Sequence, residues 1–124
     1  MVRYNKAILL GTNGDVIYPV GKKVVPGAGT ILAAVQTCTQ TKPVIVGKPN
    51  PFALKYLMGK YKIPKKQFFG IGDLLATDIL FAQNAGIDSG LVLTGLTSLQ
   101  DVKDQTLVKH PILPMFIFKN LQMK

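Results

Sequence analysis

The 124 residues suffice for one small domain, and a hydrophobic fraction of 48% with mean hydropathy +0.27 excludes a disordered chain. Fifteen Lys and Arg against six acids give a net charge of +9, which points to an anionic partner: nucleic acid, an anionic surface or a phosphorylated small molecule. Cys38 is alone, so no internal disulfide framework exists, and no apolar run approaches the roughly 20 residues of a membrane span.

In chain order, Lys6–Gly11 reads as a buried strand stopped by Thr12-Asn13-Gly14-Asp15. A loop with Pro19, Gly21 and the Lys22-Lys23 pair follows, with room for a short strand at Val24-Val25. Pro26-Gly27-Ala28-Gly29-Thr30 opens a helix running from Ile31 to about Cys38, with Ala28, Leu32 and Val35 on one face at i, i+4, i+7. Cys38 is expected to pack as a small apolar residue. Thr39–Pro43 ends this helix, and Val44-Ile45-Val46 is a short strand leading into Gly47-Lys48-Pro49-Asn50-Pro51.

Asn50 is a good N-cap and Pro51 suits the first helical position of the next helix, which carries Phe52, Leu54, Leu57, Met58 and Tyr61. Ile63-Pro64 breaks it. Phe68–Gly72 is then a buried strand, followed by a tight turn and a helix entered through Thr77-Asp78 and stopped at Gly86. Leu91-Val92-Leu93 is another buried strand, Ser98 caps a short helix over Leu99–Lys103, and Met115–Phe118 is a last strand. Strands without polar alternation, alternating with helices, predict an α/β fold with a Rossmann-like parallel sheet. Phe68–Gly72 and Leu91–Leu93 are expected as adjacent parallel strands joined by a helix over Asp78–Ala85.

With no Glu in the chain, six Asp supply every carboxylate, and two of them meet at one strand end. Asp73 follows Gly72, where open α/β sheets collect ligands, and Asp78 sits in the first helical turn, where the dipole favours negative charge. Such a pair can hold a hard divalent cation such as Mg2+. The bland alternative is an Asx turn at Asp73 beside an ordinary first-turn carboxylate at Asp78. Lys48, presented between Gly47 and Pro49 at another strand end, can neutralise a phosphate or a carboxylate, or simply face solvent.

Other signals fail on spacing. Gly70-Ile71-Gly72 lacks the third glycine of a dinucleotide fingerprint, and Gly21-Lys22 lacks the rest of a P-loop. His110, the sole histidine, excludes a histidine metal cluster and reads as a loop residue. Lys55, Lys60, Lys62, Lys65 and Lys66 interleave with Tyr56 and Tyr61, which suits a single strand of nucleic acid. A solvated helix face explains the same lysines, because Tyr61 fits the apolar spacing of its helix.

Together, Val44–Pro51 (Val-Ile-Val-Gly-Lys-Pro-Asn-Pro) and Ile71–Phe81 (Ile-Gly-Asp-Leu-Leu-Ala-Thr-Asp-Ile-Leu-Phe) resemble the third and fourth motifs of haloacid dehalogenase (HAD) superfamily phosphatases. The resemblance is to the branch of 4-nitrophenylphosphatase, phosphoglycolate phosphatase and pyridoxal phosphatase. Gly11–Asp15, Pro26–Gly29, Asn84–Ile87 and Leu91–Gly95 match in order, so the likeness covers nearly the whole chain.

The resemblance implies that Lys48 is the catalytic lysine pairing phosphate and nucleophile, that Asp73 is a Mg2+ ligand, and that Asp78 is a supporting carboxylate at the metal. It implies that residues 1 to about 42 are the end of an α/β cap domain and 43 to 124 the second half of the catalytic core. Leu74 and Ala76 depart from the family's usual Arg and acidic residue. The larger departure is that no Asp-x-Asp, the nucleophile motif, occurs in the sequence. The expectation is therefore the C-terminal portion of a Mg2+-dependent phosphomonoester hydrolase, inactive alone, with an open apolar sheet edge beside Phe68–Gly72. Its partners are expected to be a phosphorylated small molecule, and a second copy or the missing N-terminal part, with no nucleic acid and no membrane, in the cytoplasm. The rival readings are a pseudo-phosphatase serving as a binding or regulatory module, and a basic nucleic-acid-binding domain.

Overall fold

A computed structural model describes residues 7–122, so Lys6 of the first predicted strand lies outside the described residues. The chain forms two compact units, Met1–Lys48 and Pro49–Lys124.

In the first unit, β1 (Leu10–Gly11) pairs in parallel with β4 (Val44–Ile45). The pairing extends beyond the strands, because Val44 N–H donates to Leu9 O (2.8 Å) and Val46 N–H to Gly11 O (2.9 Å). Between them in sequence come a hairpin, β2 (Ile17–Val20) and β3 (Lys23–Pro26), and the helix α1 (Ala28–Thr39). The hairpin exceeds the single short strand expected at Val24-Val25. Ile17, Tyr18, Val20, Val24 and Val25 are all exposed, so the ribbon lacks the alternation that marks a half-buried strand, and Pro19 obscures it further.

Along α1, Ala28, Leu32 and Val35 are half-buried while Ile31, Ala33 and Ala34 are exposed, as the spacing predicts. Cys38 is exposed, not packed. The stripe passes through Thr39 instead, which is half-buried with its hydroxyl donating to Val35 O (2.7 Å).

The second unit begins with α2 (Phe52–Tyr61), where Asn50 Oδ1 accepts the Phe52 N–H at 3.0 Å. Only Leu54 of this helix is buried. Tyr61, assigned by spacing to the packed face, is 59% exposed, and the Lys60 ammonium lies 5.4 Å from its ring centroid and 5.8 Å from that of Tyr56. After a single tight turn at Lys65–Gln67 the chain enters β5 (Phe69–Gly72). A wide turn, Leu75–Ile79, and α3 (Leu80–Ala85) lead to β6 (Asp88–Val92). Next come α4 (Leu99–Gln105) and β7 (Phe116–Phe118).

The sheet order is β5-β6-β7, and both pairings are parallel. The expected neighbours are thus neighbours, with the helix between them. Ser98 caps α4 in a capping box: its hydroxyl accepts the Asp101 N–H (3.2 Å), and the Asp101 carboxylate accepts the Ser98 N–H (2.7 Å) and O–H (2.6 Å). The Ser98 hydroxyl, then its N–H, holds the Asp101 carboxyl below its ordinary value.

The core of this unit is Leu75, Ile79 and Leu91, with Leu93, Val102 and Ile112 packed against it. Burial is uneven across the sheet. Ser89–Val92 of the central β6 are buried, but Phe69 and Ile71 of β5 are 43% and 51% exposed, which corrects the expectation of a buried strand there. The cause is position: β5 pairs with β6 alone among the described residues. No helix among them is long and apolar enough to cross a membrane.

Ile79 is fully enclosed and Leu107 is 85% exposed, so the two offer a clean contrast. Ile79→Ala should cost about 2–5 kcal/mol in urea denaturation, and Leu107→Ala less than about 0.5 kcal/mol.

Candidate functional site

Gly72 ends β5, and Asp73 stands at the strand's C-terminal end. Leu74 is still extended (φ −123°, ψ 121°), and the chain then winds into the wide turn. Ile79 N–H donates to Leu74 O at 3.3 Å, and Leu80 N–H reaches Leu75 O, so both bonds span five residues rather than four. Such π turns inside helices recur at functional sites.

Its effect here is local and specific. Asp78 is carried back over the end of β5, where its Oδ2 accepts the N–H groups of Asp73 and Leu74, each at 3.2 Å. Half-buried donors at a strand end need an acceptor, and a carboxylate is a strong one. Gly72 is required by this arrangement, since a Cβ there would overlap the Asp78 carboxylate.

A second element holds Asp73 from the β6 side. Following β6, the Leu96 N–H donates to Asp73 Oδ2 (3.0 Å) and the Thr97 N–H to Asp73 O (3.1 Å). Thr97 Oγ1 accepts the Leu75 N–H at 3.3 Å. Gly95 lies so close that a Cβ there would overlap the Asp73 carboxylate. The bland alternative, an Asx turn at Asp73, needs the Leu75 N–H on the Asp73 side chain; that N–H goes to Thr97 instead. Gly95, Leu96 and Thr97 are what sequence reasoning missed at this site. The only signal was a Thr-Gly pair ending a strand.

Asp73 and Asp78 are therefore brought together as expected. Lys48 belongs to the first unit. It is exposed and follows β4, and the Gly47 backbone packs against the Thr12 carbonyl, so Lys48 stands at the C-terminal end of the β1–β4 pair. His110 is exposed in a loop, next to a Pro111 carbonyl that accepts from Gln83 Nε2 (3.2 Å).

The surface depression of about 310 Å³ lined by Lys65, Lys66, Phe68, Gly86, Ile87 and Asp88 lies elsewhere, at the N-terminal ends of β5 and β6. The Lys65 ammonium sits directly on Gly86, at the C-terminal end of α3. The helix terminus accounts for that charge.

Among the described residues no group of three or more His, Cys, Asp or Glu is placed to hold a metal ion. The donors that do meet are two hard carboxylates, one oxygen of each already turned to backbone N–H groups. That set fits part of a Mg2+ shell, because Mg2+ takes one or two carboxylates and fills the rest with water and substrate phosphate.

The HAD-hydrolase-like family model matches residues 45–122. The chain belongs to the HAD-like hydrolases. Its likeness to particular HAD proteins agrees: phosphoglycolate phosphatase 2 of Arabidopsis thaliana is 40% identical over 106 residues, covering 84% of this chain and 35% of that protein. The 4-nitrophenylphosphatase of Thermotoga maritima superposes with a TM-score of 0.82 at 39% identity, covering 97% of this chain and 44% of that one. Glycerol phosphate phosphatase of Mycobacterium tuberculosis, crystallised in complex with magnesium, superposes with a TM-score of 0.81 at 30% identity, covering 97% and 35%. The chain is thus a HAD-superfamily sequence of the 4-nitrophenylphosphatase and phosphoglycolate phosphatase branch, and it spans less than half the length of each of these relatives.

Asp78→Ala strands the N–H groups of Asp73 and Leu74, and should cost about 1–3 kcal/mol in urea denaturation while speeding exchange of both amide hydrogens. Asp78→Asn keeps one acceptor oxygen and should cost less.

Proposed function

We propose that this chain is the C-terminal portion of a Mg2+-dependent phosphomonoester hydrolase, similar to phosphoglycolate and 4-nitrophenyl phosphatases, acting on a phosphorylated small molecule in the cytoplasm. The observation that carries the reading is the Asp73–Asp78 pair, locked at the C-terminal end of β5 in a chain of this family. In this reading residues 1–42 end a cap domain and 43–124 form the second half of the core.

Asp73 holds the cation directly, through the oxygen not bonded to Leu96, and Asp78 supports it. Mg2+, when bound, offsets phosphate charge and polarises the phosphoryl oxygens. Lys48 supplies a compact ammonium for a phosphate oxygen and for the attacking carboxylate. None of these groups replaces a nucleophile. Aspartyl-phosphate chemistry needs a carboxylate that attacks phosphorus, and the sequence holds no Asp-x-Asp to provide it. We infer that an Asp-x-Asp-Gly segment completes the site from outside these 124 residues. The exposed Phe69 and Ile71 support this, because an edge strand with apolar side chains is a template for another strand. A second copy of the chain is the alternative cover for the same edge.

The 124-residue chain alone should show no turnover of 4-nitrophenyl phosphate with Mg2+, and should self-associate in analytical ultracentrifugation. Co-expression with an N-terminal half bearing Asp-x-Asp-Gly should restore turnover, and Asp73→Asn should abolish it again. A stable monomer that hydrolyses the substrate by itself, and loses that activity in Asp73→Asn, overturns the reading. A complemented chain that folds but stays inactive marks a binding module instead.

A further inference from the structure

Thr97 is one of two buried polar residues among those described, at 5% exposure, and no reading of the phosphoryl chemistry above uses it. It nonetheless joins three segments at the strand ends. Its N–H donates to the Asp73 carbonyl (3.1 Å) and its Oγ1 accepts the Leu75 N–H (3.3 Å), so it grips the chain on both sides of Leu74. The residue before it, Leu96, donates its N–H to Asp73 Oδ2 (3.0 Å). The backbone at Gly95 closes against the same carboxylate with no room for a side chain.

We propose that Thr97 is a positioning residue: its hydroxyl anchors the Gly95–Thr97 segment so that the Leu96 N–H fixes one oxygen of Asp73 and turns the other outward. The metal half of this inference rests on the reading of Asp73 as a Mg2+ ligand; the positioning half does not. A carboxylate with one oxygen fixed has a single orientation to offer a cation. Releasing the segment frees the side chain to rotate. The Leu96 N–H is the direct partner of the carboxylate, and losing a partner of that kind typically changes metal affinity by about 10–100-fold.

The test is amide hydrogen exchange by NMR on wild type, Thr97→Val and Thr97→Ser, with a Mg2+ titration of the same three chains co-expressed with an N-terminal half bearing Asp-x-Asp-Gly. Thr97→Val should speed exchange at Leu96, a residue whose own bond is untouched by the substitution, by about tenfold, and should weaken Mg2+ binding by about tenfold or more. Thr97→Ser, which keeps the hydroxyl, should stay within about threefold of wild type on both measures. Should Thr97→Val not fold, the Ser variant compared with Thr97→Ala gives the same contrast.

Unchanged Leu96 exchange in a folded Thr97→Val chain overturns the proposal, as does a Ser variant as impaired as the Val one. A wild-type chain complemented in this way that still binds no Mg2+ overturns the metal assignment. Leu96 exchange then decides on its own whether Thr97 positions Asp73.

Discussion

The site depends on two backbone N–H groups that no strand pairs. At the end of β5 the side chain of Asp78 answers the amides of Asp73 and Leu74 with one oxygen. That bond pair fixes where the helix can begin. It requires Gly72 beneath it and the wide turn that brings Asp78 back, and it sets the direction in which Asp73 leaves the strand. A side chain from within the helix thus does for the strand end what an N-cap does for a helix.

Carboxylates are scarce in this molecule, and several of them serve the backbone. Asp73 accepts from Leu96, Asp78 from the turn, Asp101 from Ser98 in the capping box, while Asp104 accepts from the Gln100 side chain (2.8 Å). The division of labour within each group matters more than the count. Asp73 has two carboxylate oxygens, and holding one still on the Leu96 amide fixes how the other can be presented to a ligand. Structure and chemistry can then share one residue.

Much of this was legible in the sequence because the decisive signals are short and local. The Gly72-Asp73 turn, the helix stop at Gly86, the Ser98 cap and the apolar runs of β5, β6 and β7 are each read within a few residues. What escaped needed information from farther away. The β2–β3 hairpin carries apolar residues on both faces, so its pattern does not differ from that of a fully buried strand. The exposure of Phe69, Ile71 and Tyr61 depends on which neighbours cover them, which period alone does not state. Thr97 lies 22 residues beyond the Leu75 N–H it satisfies, and a lone threonine after a Thr-Gly pair has no spacing to announce it.

The wide turn also makes this region sensitive to length. A π turn holds one residue more than an α turn, and here that residue lies between two fixed points: Asp78 tied to the strand end, and Ile79 with Ala82 sunk in the core. Removing the exposed Ala76 would let the segment relax to an ordinary α-helix while rotating everything upstream by about 100° relative to the core-facing residues. The core and the acceptor for the Asp73 and Leu74 amides could not then both be kept. Homologous sequences with side chains altered at Leu74 or Ala76 are therefore easier to accommodate than one with a single deletion between Gly72 and Ile79, and alignment gaps should avoid that interval.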